Sequence, residues 1–324
     1  MSPSYPHLTK ATAAALARAA SAPDDGSTIG PVLVTGATGD IGNLLVSELS
    51  ASGVPVRAMC RRPRQVADFR SRGVVATLGS FEDPASLRAA MAGCRQLFLL
   101  APSGPEQFER DRDAIDAAVA AGVEHVVKVS TLDANPNSAI PWARDHARAD
   151  RYLQDSGLAW TRLQPGAFTK NLLAQAQLIR RGLLPQTSGH GATAWVDVAD
   201  IAAVAARVLT DPAVRGGRHD DGRAYLLTGD RPLSYPEVAE VLTSVLGHRV
   251  RYVHVPAPLF YGVLRLSGAP AWQARGLVHQ FVDVVRRGHD NGRVTSSAIP
   301  DLLGRPAISV ADFARAHASD LRAT

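Results

Sequence analysis

A glycine-rich turn near the start of the chain constrains its fold more than any other segment. The apolar run PVLV leads into TGATGDIG, which gives the spacing Gly36-x-x-Gly39-x-x-Gly42 immediately before a helical pattern. Gly36 permits the tight turn, Gly39 lets a pyrophosphate approach the backbone, and Gly42 lets the helix pack closely on the strand. Because the helix N-terminus also attracts an anion, the motif predicts a dinucleotide-binding α/β domain.

The chain then alternates short apolar runs with helical patterns, as a parallel sheet requires. Strands are predicted at PVLVTG, VPVRAMC, VVATLG, QLFLLAP, HVVKVST and AWTRLQP, with helices near 41–52, 63–72, 84–92, 105–121 and 143–156. This alternation is typical of right-handed βαβ units. We therefore expect a Rossmann-type, doubly wound parallel sheet of six strands with a smaller C-terminal α/β substrate lobe.

Three regions are predicted: an N-terminal extension at 1–29, a cofactor-binding core at 30–165, and a lobe at 166–324 that is interleaved with the core in one structural domain. The extension combines the Ala-rich TKATAAALARAA with the breaker-rich SAPDDGSTIG. In the lobe, a helical segment is expected near 169–181, VDVADIAAVAARVLT and SYPEVAEVLTSVLG predict helices, and YLLTGD and VRYVHVP predict strands. Asp200 is expected to act as an N-cap.

Composition argues against several classes of protein. With 324 residues, 46% of them hydrophobic, the chain can bury a full core, and Cys60 and Cys94 are expected as buried thiols in apolar, strand-like surroundings. No apolar run reaches the roughly 20 residues of a membrane span and no signal peptide is recognised, so we expect a cytoplasmic protein. The net charge of +5 comes from scattered arginines, which argues against a nucleic-acid partner. No spacing of Cys, His and carboxylates indicates a metal.

The end of the second predicted strand indicates which dinucleotide binds. NAD-specific domains carry an acidic residue there that bonds the ribose 2′-hydroxyl, whereas VPVRAMC is followed by Arg61, Arg62 and Pro63. A guanidinium suits a 2′-phosphate through its permanent charge and planar donors, so NADP(H) is preferred. The alternative interpretation is a pair of solvated arginines that begin a helix.

Several motifs together resemble one family. VTGATGDIG, the Arg-Arg-Pro sequence, VVKVST, SGLAWTRLQPGAFTKN and VDVADIA are similar to the NmrA-like atypical short-chain dehydrogenase/reductases, and the similarity covers residues 31–324. YLLTGDRPLSYPEVAEVLTSVLG and LLGRPAISVADFARAHA resemble the lobe of the NAD(P)H:quinone reductase branch. The resemblance implies NADP(H) at the glycine-rich turn and substrate between sheet and lobe. The family includes quinone and ketone reductases, tailoring enzymes of secondary metabolism, and redox-sensing regulators that catalyse nothing.

The motif and the resemblance together imply cofactor contacts at the ends of the first four strands. These are Gly36, Thr38, Gly39, Asp40, Ile41, Gly42, Arg61, Arg62, Ser80, Phe81, Ala101 and Pro102. One departure concerns adenine recognition, because family members often show Gly-Asp-Phe where this chain has Gly-Ser-Phe at 79–81.

A second departure concerns proton transfer, because the hallmark Tyr-x-x-x-Lys is absent. Aligned on the helix that ends in QDSGLAWT, the chain has Trp142 at the tyrosine position, His146 at the lysine position and Asp150 at a position that is frequently acidic in the family. Tryptophan cannot give a proton to a developing alkoxide, whereas His146 can act as an acid near neutral pH. The spacing keeps all three residues on one helical face. The alternative is a surface histidine.

Other candidate residues follow the fifth and sixth strands. Either hydroxyl of Ser130 and Thr131 is able to bond a substrate carbonyl, although a strand-end cap is equally compatible. Lys128, inside the strand, is expected to be structural. The resemblance implies that Phe168, Lys170 and Asn171, which follow the sixth strand, line the nicotinamide and substrate pocket with Trp142. Packing is the favoured role for Phe168, and for Lys170 and Asn171 a role in the pocket and a role outside it stay equally open.

These observations predict an NADPH-dependent reductase of a carbonyl or quinone on an aromatic or polycyclic small molecule, in the manner of a tailoring ketoreductase. Two proton sources stay open: His146 as general acid, or a substrate hydroxyl or a water held by Ser130 or Thr131. The missing tyrosine and lysine also suit a second hypothesis, a protein that binds NADP(H) as a sensor without turnover.

Overall fold

The computed structural model describes residues 30–288 and 293–322, so the extension predicted at 1–29 lies outside the described residues. The first half alternates strands and helices in the order β1 (Val32–Val34), α1 (Asp40–Ala51), β2 (Val56–Cys60), α2 (Pro63–Ser71), β3 (Val75–Leu78), α3 (Pro84–Met91), β4 (Gln96–Leu99), α4 (Gln107–Ala120), β5 (His125–Val129), α5 (Pro141–Asp155) and β6 (Ala159–Pro165). Each strand and helix predicted from the alternating pattern is present.

The second half is less regular. Its elements are β7 (Ala167–Phe168), a 3-10 helix (Thr169–Gln175), α6 (Ala176–Arg180), β8 (Leu183–Gln186), β9 (Ala192–Val196), α7 (Val198–Thr210), two short 3-10 helices (Pro212–Val214 and His219–Asp221), β10 (Arg223–Leu227), β11 (Pro232–Ser234), α8 (Tyr235–Leu246), β12 (Arg251–His254), α9 (Ala257–Leu266), α10 (Ala271–His279), a π-helix (Gln280–Arg286), α11 (Ala298–Leu303), α12 (Val310–Ala316) and α13 (Ala318–Leu321).

The main sheet is parallel throughout and has the strand order β10-β6-β5-β4-β1-β2-β3. The predicted Rossmann-type fold is confirmed. The expected count of six strands was one short, because β10 from the second half pairs with β6 along its whole length. The order reverses at β1, which lies between β4 and β2, and in such sheets ligands bind in the crevice at the carboxyl ends of these strands.

Two apolar layers cover the sheet because the strand residues alternate between its faces. Val32 and Val34 belong to the cluster that packs under α1, α2, α7 and α11, whereas Leu33 belongs to the cluster under α3, α4 and α5. A third cluster forms the core of the lobe, around Trp195, Tyr235 and Phe313. The predicted boundary between core and lobe at residue 165 stays a prediction.

The expected N-cap role of Asp200 is wrong. Asp197 caps α7, with its Oδ1 accepting from the amide of Ala199 at 2.9 Å. Asp200 lies one turn further on and is fully buried, where it accepts from Arg305 at 2.6 Å and from the amide of Ile308 at 2.7 Å. Its carboxylate therefore binds the C-terminal segment to the core and does not cap a helix.

Both cysteines are free thiols with buried side chains. Cys60 ends β2, and Cys94 lies in the loop before β4 rather than in a strand. Burial raises the pKa of both thiols, that of Cys60 to about 11. Within the described residues, no helix has the length and apolar character needed to cross a membrane.

Candidate active site

The glycine-rich turn has the geometry of an anion site. Gly36 adopts a left-handed φ of 61°, and its carbonyl accepts from the amide of Gly39 at 2.9 Å. The first intrahelical bond of α1 runs from Asn43 to Gly39, so the amides of Asp40 and Ile41 precede the helical ladder. The turn is also open to solvent at 38–40. It therefore fits a phosphate group, as the sequence predicts.

Two of the three glycines are required by the backbone itself. A Cβ on Gly42 would lie 2.3 Å from the carbonyl oxygen of Gly36, and a Cβ on Gly36 would lie 2.9 Å from the carbonyl oxygen of Leu100. Gly39 differs, because its Cβ would meet only the Gly36 oxygen at 3.3 Å and its φ is −82°. A side chain at Gly39 therefore requires only a small shift of the Gly36 carbonyl, so the backbone constrains this position less than it constrains Gly36 and Gly42.

The other predicted cofactor residues follow β2, β3 and β4 at the same edge of the sheet. Arg61 and Arg62 are exposed, and neither guanidinium forms a salt bridge within the part of the chain that the structure describes. Ser80 donates its hydroxyl proton to Glu82, and the side chain of Phe81 is buried in the core beside α3. Ala101 and Pro102 extend from β4 with partly accessible surfaces. Their roles stay predictions, and Phe81 has only its backbone available to a ligand.

The two hydroxyl groups at the end of β5 both donate to carboxylates. The Oγ atom of Ser130 lies 2.6 Å from Oδ2 of Asp150, and the Oγ1 atom of Thr131 lies 2.6 Å from Oδ1 of Asp133. A hydroxyl has one proton, so neither group offers it to a substrate in this arrangement. Each oxygen keeps its ability to accept a hydrogen bond.

A buried network stands behind Ser130. The ammonium of Lys128 is fully buried and lies 3.1 Å from Oδ1 of Asp150, 3.5 Å from Oδ2 of Asp111 and 3.2 Å from Nδ1 of His146. Burial raises the pKa of Asp111 to about 6, against the charge of Lys128. Burial also acts to lower the pKa of Lys128, but the two aspartates outweigh it and the net shift is upward. Lys128 is thus cationic, and its structural role stays a prediction.

His146 is a neutral member of this network. Burial lowers its pKa well below 6.5, and the charge of Lys128 lowers it further. The ring keeps some accessible surface, but both nitrogens face protein, with Nε2 lying 2.9 Å from the amide of Gln107. Because Nδ1 accepts from Lys128, Nε2 carries the hydrogen of the neutral ring. The Oε1 atom of Gln107 is otherwise unpartnered. When the Gln107 amide is oriented with Oε1 towards Nε2, this oxygen accepts the hydrogen and both groups are satisfied.

Trp142 packs against the lobe. Its indole nitrogen donates to Oε1 of Gln280 at 3.3 Å, and its ring forms an edge contact with Trp272 at 6.5 Å. A Cβ on Gly276 would lie 2.5 Å from this ring, so α10 approaches closely only because it carries glycine there. The residue at the usual tyrosine position therefore holds α10 against α5.

The remaining candidates lie around the end of β6. Phe168 is half-buried and packs on the main core, as favoured, and Asn171 is exposed. Most of the aromatic side chains after residue 256 also serve packing, since Phe260 contacts Phe281 and Phe281 contacts Tyr235 in the lobe core.

Sequence reasoning missed Asp111 and Gln107, which reach the network from α4. One signal for Asp111 is present in the sequence. It shares the buried face of α4 with Ala114 and Ala118, and a carboxylate on an apolar face needs a buried cation as partner. Lys128, the one charged side chain within the buried strand HVVKV, is that cation. Within the described residues, no group of three metal-binding side chains is found.

Comparison with known proteins identifies the family. Residues 36–212 match the model of the NAD(P)H-binding family. The NAD(P)H azoreductase of Xenophilus azovorans is 34% identical over 89% of this chain and 98% of that protein. The (4-alkanoyl-5-oxo-2,5-dihydrofuran-3-yl)methyl phosphate reductase of Streptomyces griseus is 32% identical, again over 89% and 98%.

A solved structure gives the same answer for the fold. The crystal structure of the NADPH-dependent quinone oxidoreductase of Escherichia coli, complexed with NADPH, matches with a TM-score of 0.77 and 29% identity over 87% of this chain and 98% of that one. The resemblance noted from the motifs is confirmed: this chain belongs to the NAD(P)H-binding family, as an NmrA-like atypical short-chain dehydrogenase/reductase that binds NADP(H).

Proposed function

We propose that this NADPH-dependent oxidoreductase reduces quinones, and related conjugated acceptors, on aromatic or polycyclic small molecules. The reaction class agrees with the relatives, which are an azoreductase, a quinone oxidoreductase and a reductase of a furanone phosphate. The acceptor is inferred from the protons that the site offers.

The cofactor would be held at two points of the carboxyl edge. The amides at the start of α1, after Gly39, suit the pyrophosphate, and Arg61 and Arg62 suit the 2′-phosphate. When bound, NADPH supplies a hydride to the acceptor. The chain's own contribution is to hold the hydride donor and the acceptor close together, and this positioning provides most of the gain in rate.

The observation that carries the choice of acceptor is that the hydroxyl protons of Ser130 and Thr131 are both directed at carboxylates. His146 is neutral, and the indole N–H of Trp142 is occupied by Gln280. Of the four side chains that sequence reasoning selected near the reacting atoms, none is an acid poised at neutral pH.

An acceptor that forms a stabilised anion suits such a site. Reduction of a quinone leaves an oxygen of the phenol type, whose pKa is about 10, as for tyrosine. Reduction of a simple ketone leaves an alkoxide about as basic as hydroxide, which is far more basic than a phenolate. Water or a substrate hydroxyl protonates the first product readily, whereas the second needs an acid during hydride transfer. The site therefore favours quinones.

A carbonyl of a secondary metabolite is the second candidate acceptor. It is supported by the oxo-furan named as the substrate of the Streptomyces griseus relative. In that case an acceptor with a hydroxyl beside the carbonyl would supply its own hydrogen bond to the reduced oxygen, and acceptors without it would react poorly.

Two acceptors with one carbon skeleton test the proposal. Purified protein is incubated with NADPH and either naphthoquinone or tetralone, and the loss of NADPH absorbance is corrected for the reaction without protein. We expect kcat/KM to be at least about 100-fold higher for the quinone, the lower limit of what a positioned acid contributes. Equal rates, or faster reduction of tetralone, would contradict the proposal. Tight NADPH binding without turnover on any acceptor would favour the sensing protein instead.

A further inference from the structure

One ion pair joins the glycine-rich turn to the segment that follows β6. The ammonium of Lys170 contacts Oδ1 of Asp40, which is the first residue of α1. The side chains are 40% and 54% exposed, so neither is locked in place by packing. An exposed pair of this kind contributes little to the stability of the fold, so a role in the neighbouring cofactor site is the more informative one to consider.

The backbone beneath Lys170 is firmly held. The neighbouring Thr169 is fully buried, and its hydroxyl donates to Oδ2 of Asp197 at 3.0 Å, at the start of α7. Helix α7 packs along α1 in the same layer. The backbone at residue 169 is therefore anchored, and only the flexible side chain of Lys170 extends to Asp40.

The charges of this pair have opposite consequences for an anion at the turn. The Asp40 carboxylate stands at the start of α1, beside the amides that suit the pyrophosphate, and it repels a phosphate there. Lys170 neutralises this carboxylate and brings a cation to the same place. A pyrophosphate carries more negative charge than one carboxylate and presents more acceptor oxygens, so it is the stronger partner for an exposed ammonium.

Resting on the proposed cofactor site, we propose that Lys170 is a further cofactor-binding residue, which exchanges Asp40 for the pyrophosphate when NADP(H) binds. Asp40 is then a competitor for the ammonium. The pair links the turn to the segment that carries Phe168 and Asn171. Because the pyrophosphate is common to both dinucleotides, Lys170 acts on NADPH and NADH alike, unlike Arg61.

Opposite effects of the two partners test the inference. Kd values for NADPH and NADH are measured by titration of the full chain at low ionic strength, for the wild type, Lys170→Met and Asp40→Asn. We expect Lys170→Met to raise both Kd values by about 3–20-fold, as for the loss of an exposed charge-assisted bond. Asp40→Asn should lower both by about 2–5-fold, because it releases the ammonium. Lys170→Arg should retain binding, and Arg181→Met serves as an exposed control.

Asp40→Asn has two effects: it releases the Lys170 ammonium, and it removes the repulsion between the Asp40 carboxylate and the pyrophosphate. The double variant separates them. In the Lys170→Met background, the gain from Asp40→Asn should shrink. Unchanged Kd values in both single variants would show a static surface pair and overturn the inference, while NADPH binding by the wild type would leave the proposed cofactor site standing. Failure of the wild type to bind NADPH would overturn both.

Discussion

Lys128 donates a hydrogen bond to Nδ1 of His146 over 3.2 Å, and this contact sets the protonation of the imidazole. An ammonium only donates, so Nδ1 has to be the unprotonated nitrogen. Burial and the charge of Lys128 both lower the pKa of the ring well below 6.5. At neutral pH, His146 is thus a neutral ring that accepts from Lys128 and has no acidic proton to give.

The first prediction is that His146 does not titrate at physiological pH. Its folded pKa lies below the value of about 6.5 that the unfolded chain has, so below pH 6.5 the unfolded state binds more protons. The stability that the neutral ring contributes is therefore present above about pH 6.5 and is lost as the pH falls towards the folded pKa. Ring proton signals in NMR, assigned with His146→Gln, should show no titration midpoint between about pH 6.5 and 8, which is above the pKa of about 6 of the neighbouring Asp111. A midpoint inside this range would contradict the account.

The second prediction concerns cofactor choice. Arg61→Ala should weaken NADPH binding by about 1.5–3 kcal/mol and leave NADH binding nearly unchanged, because the lost contact is a charge-assisted bond to the 2′-phosphate. Titration with both cofactors measures the difference, with Arg181→Ala as an exposed arginine control from the lobe. Equal losses for the two cofactors would make Arg61 a structural residue.

The third prediction separates two glycines of the same turn. Gly39→Val should fold with a small loss of stability and lose both cofactors, since its Cβ lies 3.3 Å from the Gly36 oxygen and its side chain fills the space that we assign to the pyrophosphate. Gly42→Ala should destabilise the protein, because its Cβ would lie 2.3 Å from the same oxygen. Thermal unfolding and NADPH titration of both variants distinguish the two effects. Retained NADPH affinity in Gly39→Val would mean that phosphate binds elsewhere.

Much of this architecture is readable from local sequence patterns. The strands of the main sheet are short apolar runs between helical repeats, so their order along the chain and the turn at Gly36 follow from periodicity. The spacing in α5 also places His146 and Asp150 one turn apart, on the face that meets Lys128.

The contacts that decide the chemistry are not local. Trp142 lies one turn before His146 on the same helix, yet its partner Gln280 lies 138 residues further along the chain. No periodicity in the sequence predicts that contact. Asp200 resembles an N-cap because it lies in the first turn of a helix, but its carboxylate accepts a hydrogen bond from Arg305, 105 residues away. The partners of charged and aromatic side chains are set by the tertiary structure, so they cannot be predicted from local propensity.

The most direct test of the account is the turnover of His146→Ala with NADPH and a quinone acceptor. Correct folding is checked first by circular dichroism and by an unchanged Kd for NADPH. If the protein works without a side-chain acid, kcat should fall by less than about tenfold. A loss of more than about 100-fold in the correctly folded variant, within the range that a positioned general acid contributes, would show that His146 supplies the proton and would contradict the account.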